Sequence, residues 1–141
     1  MKDCVLIVDD HTIMRDGIRA ILRHSGQYEV AEAADGVEAV RICKEQHPAL
    51  VILELRLPGL SGIDTTTEIL RHCPGTKVVI LSMYNDGRRV ANALRAGARG
   101  FVLKTASEND LLSALRIIAQ GGTYLSPAVS SGFLASLQRG D

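Results

Sequence analysis

The sequence predicts an α/β protein with a doubly wound, five-stranded parallel sheet and helices on both faces. The first observation behind this prediction is a set of short apolar runs bounded by turn signals, which is typical of strands buried on both faces. The second is that each run is followed by a segment with helical spacing, so strands and helices alternate five times, as in a parallel sheet. Since parallel crossovers are right-handed, few topologies remain, and we expect the order 2-1-3-4-5.

The central strand is the run from Leu50 to Leu53, which leads directly into Glu54 and then into the breaker pair Pro58-Gly59. A buried helix could show the same apolar run, but the distance between breakers is too short for one. We therefore expect Glu54 to lie where a central strand ends and a loop begins. In open α/β sheets, ligands bind at that edge.

The remaining elements follow in order along the chain. Strands are predicted at 4–8, 27–34, 77–82 and 99–104, from apolar and β-branched runs. One helix is predicted near Met14 from apolar positions at helical spacing, and four more at Asp35, Ser61, Asn85-Asp86 and Ser107, where capping residues precede such positions. In the third helix, Ile63, Thr67 and Leu70 are expected to face inward.

Composition restricts the possible functions. The 141 residues carry 16 basic and 16 acidic side chains, so no net charge favours nucleic acid or a membrane surface. Three widely spaced cysteines form neither a CxxC pair nor a disulfide framework, which favours a reducing, cytoplasmic setting. No apolar run approaches the roughly 20 residues needed to span a bilayer, and no signal peptide is expected.

The C-terminal stretch from Ser126 to Asp141 differs from the rest in its Ser and Gly content. Val129, Phe133, Leu134 and Leu137 nevertheless fall at helical spacing, and Ser126-Pro127 suits the start of a helix. We predict a short amphipathic helix at a domain boundary, with a disordered linker as the alternative. A helix beyond a finished domain requires a surface to pack against.

Polar residues with phosphate chemistry follow four of the predicted strands. Asp9 and Asp10 close the first strand, Glu54 the third, Ser82 the fourth and Lys104 the fifth. If the first and third strands are neighbours, three carboxylates meet on one edge, and close like charges require a neutralising cation. Hard oxygen ligands suit Mg²⁺, while Lys104 and Ser82 could hold phosphoryl oxygens. Helix capping by an aspartate and a snorkelling lysine explain single residues, but not the set.

These motifs together resemble the bacterial response-regulator receiver domain over residues 3 to about 122. The resemblance rests on Val8-Asp9-Asp10-His11, 53–59, Ile80-Leu81-Ser82 and 97–104. The stretches 104–106 and 121–127 are similar to the NarL/FixJ branch, whose members carry a LuxR-type helix-turn-helix domain. The resemblance implies a flavodoxin-like receiver at 1–122 and the start of an interdomain linker at 123–141.

The resemblance also implies a role for each site residue. Position 54 would be the phosphoacceptor, and Ser82 and Lys104 would hold the phosphoryl group. Asp9, Asp10, Glu54 and the backbone carbonyl of Arg56 would ligate Mg²⁺. Phe101 would be an aromatic switch that turns inward when Ser82 moves toward the phosphoryl group. Such a domain is not an enzyme acting on other molecules, because it catalyses only its own phosphorylation and dephosphorylation.

Two positions depart from the family pattern. Thr105 follows Lys104 where the family usually has proline, which weakens any inference of a cis bond. Glu54 stands where the family has aspartate, and its extra methylene moves the carboxylate by roughly one bond length. A misplacement of about 1 Å can cost around 10²-fold in a positioned reaction. We therefore expect inefficient phosphorylation at Glu54 and weakened or absent Mg²⁺ binding.

Glu54 has two explanations: a replacement that imitates the phosphorylated state, or a natural residue in a receiver that has left the kinase pathway. In the first, we expect partial activation, with Glu54 near Lys104 but Ser82 and Phe101 not fully switched. In the second, the chain is a phosphate-independent interaction module.

The resemblance also implies partners for the chain. They are a sensor histidine kinase, a second copy bound through helices one and five, and DNA only through a helix-turn-helix domain outside this chain. No membrane is expected among them.

Overall fold

The computed structural model describes residues 2–84 and 86–140, with the exception of the Ser136 side chain. The strands are β1 Asp3–Val8, β2 Tyr28–Ala33, β3 Leu50–Leu53, β4 Lys77–Ser82, β5 Gly100–Leu103 and β6 Tyr124–Leu125. The helices are α1 Thr12–Ser25, α2 Gly36–Gln46, α3 Gly62–His72, α4 Gly87–Arg95, α5 Glu108–Ala119 and α6 Pro127–Arg139. Strands and helices alternate as the apolar runs and capping residues predict.

The strands form one parallel sheet in the order β2-β1-β3-β4-β5-β6. The predicted order of the first five strands is confirmed, but the prediction of five strands is wrong by one. The sixth strand pairs Tyr124 with Gly100 and Leu125 with Phe101 at the outer edge of the sheet. Two residues are too few to give a periodic apolar signal, which is why the sequence did not indicate this strand.

The helices cover both faces of the sheet, as predicted. The helices α1 and α5 pack on one face, where Ile18, Leu22 and Leu115 are buried. The helices α2, α3, α4 and α6 contribute to the core on the other face. The site-bearing ends of the strands therefore lie between two helical layers.

Side-chain caps fix where four of these helices begin. Asp35 accepts a hydrogen bond from the Glu38 amide, and the other three caps make the equivalent bond. The capping residues are Asp35, Ser61, Asp86 and Ser107. Asn85, which the sequence paired with Asp86, lies outside the described residues.

Two predicted helix faces need correction. In α3 the predicted inward residue Thr67 is exposed, whereas Thr65 and Thr66 are buried. In α6 only part of the predicted stripe is covered. Leu134 and Leu137 remain 58% and 57% exposed, so helical spacing alone overstated the width of the buried face.

Two further findings bear on the sequence expectations. The thiols of Cys4, Cys43 and Cys73 are free. Within the described ranges, no helix has both the length and the apolar character needed to cross a bilayer.

Candidate functional site

Strand pairing brings Asp9 and Glu54 side by side. Val8 is in register with Leu53, and the Glu54 amide donates to the Val8 carbonyl at 3.0 Å, so the residue after each strand emerges at the same edge. The same edge holds Ser82 and Lys104, since the Lys104 amide donates to the Ser82 carbonyl at 2.8 Å. The sheet order thus gathers side chains that are up to 95 residues apart in sequence.

Lys104 is the centre of the site. Its Nζ lies 3.0 Å from Asp9 Oδ2 and 3.1 Å from Glu54 Oε2. All three side chains are buried, with between 3% and 6% of their surface exposed. The contact with Asp9 is a hydrogen bond, whereas the contact with Glu54 is an ion pair without hydrogen-bond alignment, because Glu54 Oε2 has no hydrogen-bond partner within the described part of the chain.

The charge state of Lys104 follows from these contacts. Burial by itself lowers the pKa of Lys104, because it removes water from the ammonium group. Hydrogen bonding to Asp9 and the nearby carboxylate of Glu54 outweigh burial, and the net effect raises the pKa above its ordinary value. Lys104 is therefore a fixed cation at neutral pH.

The loop after Glu54 is held close to α3. The Gly62 amide donates to the Leu55 carbonyl at 2.9 Å. A Cβ at Gly62 would lie 2.5 Å from Leu55 Cα and 2.6 Å from the Glu54 carbonyl oxygen. Only glycine permits this approach, which presses the start of α3 against the backbone that carries Glu54. The Arg56 amide approaches Glu54 Oε1 at 3.4 Å.

Asp9, Asp10 and His11 form a polar cluster beside the lysine. Their potential ligand atoms lie within 4.8 Å of one another, and it is the one such cluster found among residues 2–84 and 86–140. His11 Nδ1 lies 3.1 Å from Asp9 Oδ1 and 3.3 Å from Asp10 Oδ1. Glu54 is not a member of this cluster, although its carboxylate reaches the same lysine as Asp9.

The donor set and the charge balance fit a divalent cation. Asp9, Asp10 and Glu54 supply three carboxylates and Lys104 one ammonium, which leaves a formal charge of −2. Carboxylate oxygens are the ligands that Mg²⁺ takes in proteins, usually with several retained waters. The Asp10 carboxylate, 34% exposed, is accessible to such a hydrated ion.

Ser82 is fully buried, and its hydroxyl is turned toward the loop that follows β4. The Tyr84 amide donates to Ser82 Oγ at 3.1 Å. No hydrogen bond joins Ser82 to Glu54 in the described residues. The structure thus brings Ser82 to the same edge as the carboxylates without connecting it to them.

Tyr84 itself contacts two arginines. The Arg56 guanidinium donates to the Tyr84 hydroxyl and lies over its ring, 5.2 Å from the centroid. The Arg89 guanidinium from α4 lies 4.3 Å from the same centroid. Such cation–π contacts contribute about 0.5–1 kcal/mol at exposed sites. They link the loop after Glu54 to the first turn of α4.

Phe101 is fully buried on β5, on the face covered by α4 and α6. The sequence leads us to expect that neither Ser82 nor Phe101 is fully switched, and the structure agrees with this expectation for Ser82 only. Ser82 is not bonded to Glu54, but the Phe101 ring lies inward. The peptide bond between Lys104 and Thr105 is trans.

An apolar groove of about 490 Å³ lies next to the site, between α1 and α5. Ile13 and Met83, which line it, are 88% and 60% exposed, so the groove presents large apolar side chains to solvent. Lys104 and His11 also line the groove, which places it next to the carboxylates.

Sequence reasoning did not find every residue of this site. His11 was named as part of the motif Val8-Asp9-Asp10-His11 but was assigned no role, and the contacts of Tyr84 and Arg89 were not predicted. The signal for His11 was its place directly after Asp9-Asp10. No spacing rule indicates that Tyr84 and Arg89 stack, because that contact depends on the loop between β4 and α4.

Comparison with known proteins gives consistent results. The response regulator receiver domain matches residues 5–116. The oxygen regulatory protein NreC of Staphylococcus carnosus is 38% identical over 132 residues, which cover 92% of this chain and 61% of that protein. The curated relatives are longer, and this chain spans 56–61% of the length of the first three.

Solved structures agree with the sequence match. A LuxR-family two-component response regulator from Aurantimonas sp. SI85-9A1 has a TM-score of 0.92 and 31% identity, with full coverage of both chains. The signal receiver domain of the response regulator NarL from Mycobacterium tuberculosis has a TM-score of 0.80 and 32% identity, covering 85% of this chain and 98% of that one.

Proposed function

The chain belongs to the response regulator receiver domain family, and we propose that it serves a two-component, DNA-binding transcriptional regulator of the NarL/FixJ branch. The names of its relatives support this, since they include a transcriptional regulatory protein, DegU, and a LuxR-family regulator. In this proposal the receiver is 1–122, the linker begins at 123, and the helix-turn-helix domain lies outside this chain. A sensor histidine kinase supplies the phosphoryl group.

The observation that carries the proposal is the Lys104 ammonium held between Asp9 and Glu54 in a buried site. A phosphoryl group on residue 54 would bring negative charge to the place where Lys104 already stands. Lys104 and Ser82 would hold its oxygens, and Phe101 would report the change to the surface. The chemistry is limited to the domain's own phosphorylation and dephosphorylation.

Glu54 makes this chain an imitation of the phosphorylated form, and a poor phosphoacceptor. A glutamate carries one negative charge and two oxygens, whereas a phosphoryl group carries about −1.5 to −2 and three oxygens. The ion pair with Lys104 uses one Glu54 oxygen, and Ser82 receives no third oxygen to bind. In this proposal Glu54 is a phosphomimetic that makes the charge contact with Lys104 but leaves the Ser82 hydroxyl in its unswitched position.

Magnesium is the cofactor that the donor set suits. Asp9 and Asp10 would hold it, with Glu54 and the Arg56 carbonyl as further oxygens. Bound there, Mg²⁺ would neutralise the carboxylates and the oxygens of an incoming phosphoryl group. With Glu54 in place the metal site is weaker, because Lys104 already neutralises that carboxylate.

The groove between α1 and α5 is the proposed interaction surface. Its exposed Ile13 and Met83 lie next to the phosphoacceptor edge, where a kinase must approach. The same two helices would form the homodimer. Both uses bury apolar surface that the isolated chain leaves in water.

A second candidate is a natural, phosphate-independent interaction module. The observation in its favour is that Lys104 already has both carboxylate partners, so the site is balanced without a phosphoryl group. In that case replacing Glu54 by Gln would leave binding of the kinase and dimerisation unchanged. In a phosphomimetic, the same replacement would lower dimerisation.

Replacing Glu54 by Asp tests the proposal directly. With Mg²⁺ and acetyl phosphate, E54D should gain one phosphoryl group, seen by intact-protein mass. The parent chain should react at least about 10²-fold more slowly, because its carboxylate is displaced. E54Q is the unreactive control. Equal rates for the parent and E54D would contradict the proposal, as would an unreactive E54D.

Metal binding gives an independent test. Titration calorimetry should show that E54D binds Mg²⁺ more tightly than the parent, because the shorter side chain moves away from Lys104 and toward Asp10. D10N in the E54D chain should bind more weakly than E54D. Equal affinities for the parent and E54D would show that residue 54 takes no part in metal binding.

A further inference from the structure

The segment that follows α5 is attached to β5, the strand that carries Phe101. The Tyr124 amide donates to the Arg99 carbonyl at 3.1 Å, and the Ser126 amide donates to the Phe101 carbonyl at 3.1 Å. In return, the Leu103 amide donates to Ser126 Oγ at 3.2 Å. These three bonds reach the backbone of residues 99, 101 and 103, and the last of these residues directly precedes Lys104.

An apolar contact reinforces these bonds. Val129, in the first turn of α6, is fully buried in the same cluster as Phe101, Val90 and Ala93. Phe133, one turn further on, packs against this cluster while remaining partly exposed. Phe101 therefore shares one buried cluster with α4 and with the chain's own C-terminal helix.

Phe101 lies inward here while the Ser82 hydroxyl is bonded to its own loop. Ser82 Oγ accepts from the Tyr84 amide and has no bond to Glu54 in the described part of the chain, yet Phe101 is buried. Val129 belongs to the same buried cluster as Phe101, and the segment before it is hydrogen-bonded to the backbone of β5. The tail segment thus makes a second set of contacts to the strand that carries Phe101, separate from the edge that carries Glu54.

We propose that residues 124–133 act as an intramolecular clamp on Phe101, and that docking of this clamp is coupled to phosphoryl-group binding at residue 54. Both events favour the same inward position of Phe101, so each strengthens the other. The mechanical connection is short, because Leu103 bonds to Ser126 and the adjacent Lys104 bonds through its amide to Ser82. The phosphoryl half of this statement rests on the proposed function.

With such a clamp, the docking of the C-terminal segment responds to ligand binding at residue 54. By linkage, a ligand at residue 54 must tighten the docking of 124–133 by the same factor as docking tightens the ligand. The C-terminal end of α6 would then be held in a more fixed orientation when the site is filled. While α6 is docked, it also covers part of the face formed by α4 and β5, and excludes other partners from it.

The test uses the full chain with E54D, Mg²⁺ and beryllium fluoride, which imitates a phosphoryl group on aspartate. In this background V129A should bind beryllium fluoride about fivefold or more weakly, measured by titration calorimetry. The matched control L134A, which removes an exposed leucine of the same helix, should stay within about twofold. Beryllium fluoride should also slow hydrogen exchange of the Tyr124 and Ser126 amides.

A second variant distinguishes loss of the clamp from misfolding of V129A. S126A removes the acceptor of the Leu103 amide while leaving Val129 in place, and it should weaken beryllium fluoride binding in the same direction. Equal affinities in V129A, S126A and L134A, or tighter binding in V129A, would overturn the clamp while the proposed function stands. Failure of E54D itself to bind beryllium fluoride would instead contradict the proposed function.

Discussion

The two halves of the candidate site at the ends of β1, β3, β4 and β5 are in different states. On the charged half, Lys104 contacts both Asp9 and Glu54 at 3.0–3.1 Å in a buried setting. On the hydroxyl half, Ser82 is bonded to its own loop through the Tyr84 amide. The difference indicates what a glutamate can and cannot replace, because it supplies charge for the lysine but no third oxygen for the serine.

The two halves should also differ in how much a substitution changes the free energy of unfolding. A buried ion pair contributes little net stability against an apolar replacement, but removal of one partner leaves an uncompensated buried charge. A buried hydroxyl that accepts one backbone hydrogen bond contributes about 1 kcal/mol. We therefore expect substitutions on the charged half to have the larger effects.

Replacing Lys104 by Met should have the largest effect. The change leaves Asp9 and Glu54 close together and buried without their cation, and should lower the free energy of unfolding by about 3–5 kcal/mol at pH 7. Urea denaturation measures this. K44M, at an exposed position of α2, is the matched control and should stay within about 0.5 kcal/mol of the parent.

A cost below about 1 kcal/mol for K104M would contradict the buried ion pair, and would mean that water reaches both carboxylates.

The pH dependence of stability should sharpen the same comparison. Because the folded-state pKa of Lys104 is raised above its ordinary value of 10.5, its contribution is fully present below pH 10.5. It is lost as the pH rises through the raised pKa, where the folded state gives up its proton. Denaturation series at alkaline pH should show this loss in the parent chain and a smaller loss in K104M. Parallel curves for the two proteins would contradict the raised pKa.

Much of the charged half could be predicted from sequence. Apolar runs located the strands, and the handedness rule left few orders open, of which the expected 2-1-3-4-5 makes the strands before Asp9 and Glu54 neighbours. Lys104 then had to follow from the fifth strand to the same edge. These are consequences of backbone topology, which periodic patterns report well.

The hydroxyl half could not be predicted in this way. The position of the Ser82 hydroxyl depends on a side-chain rotation and on the loop at Tyr84, and neither leaves a periodic signal. The strand Tyr124–Leu125 is too short to be recognised by pattern. Helical spacing marked Val129 and Leu134 alike, but only tertiary packing decides that Val129 is buried and Leu134 exposed.

Replacing Ser82 by Ala should have the smallest effect and completes the comparison. The change removes one acceptor from the Tyr84 amide, so the free energy of unfolding should fall by about 1 kcal/mol. S113A, which removes a hydroxyl that accepts from Arg116 at the surface, is the matched control and should cost less. The alkaline loss of stability due to Lys104 should be the same in S82A and the parent.

The two halves would then be separable in one set of denaturation curves. If S82A instead cost as much as K104M, the serine hydroxyl would have to belong to the buried charge network. In the E54D chain, by contrast, S82A should slow phosphorylation, since an aspartyl phosphate carries the third oxygen that Glu54 lacks. The same serine would thus contribute only a small amount of stability with glutamate at position 54 but also affect the phosphorylation rate with aspartate there, which is the behaviour expected of a switch that glutamate sets only in part.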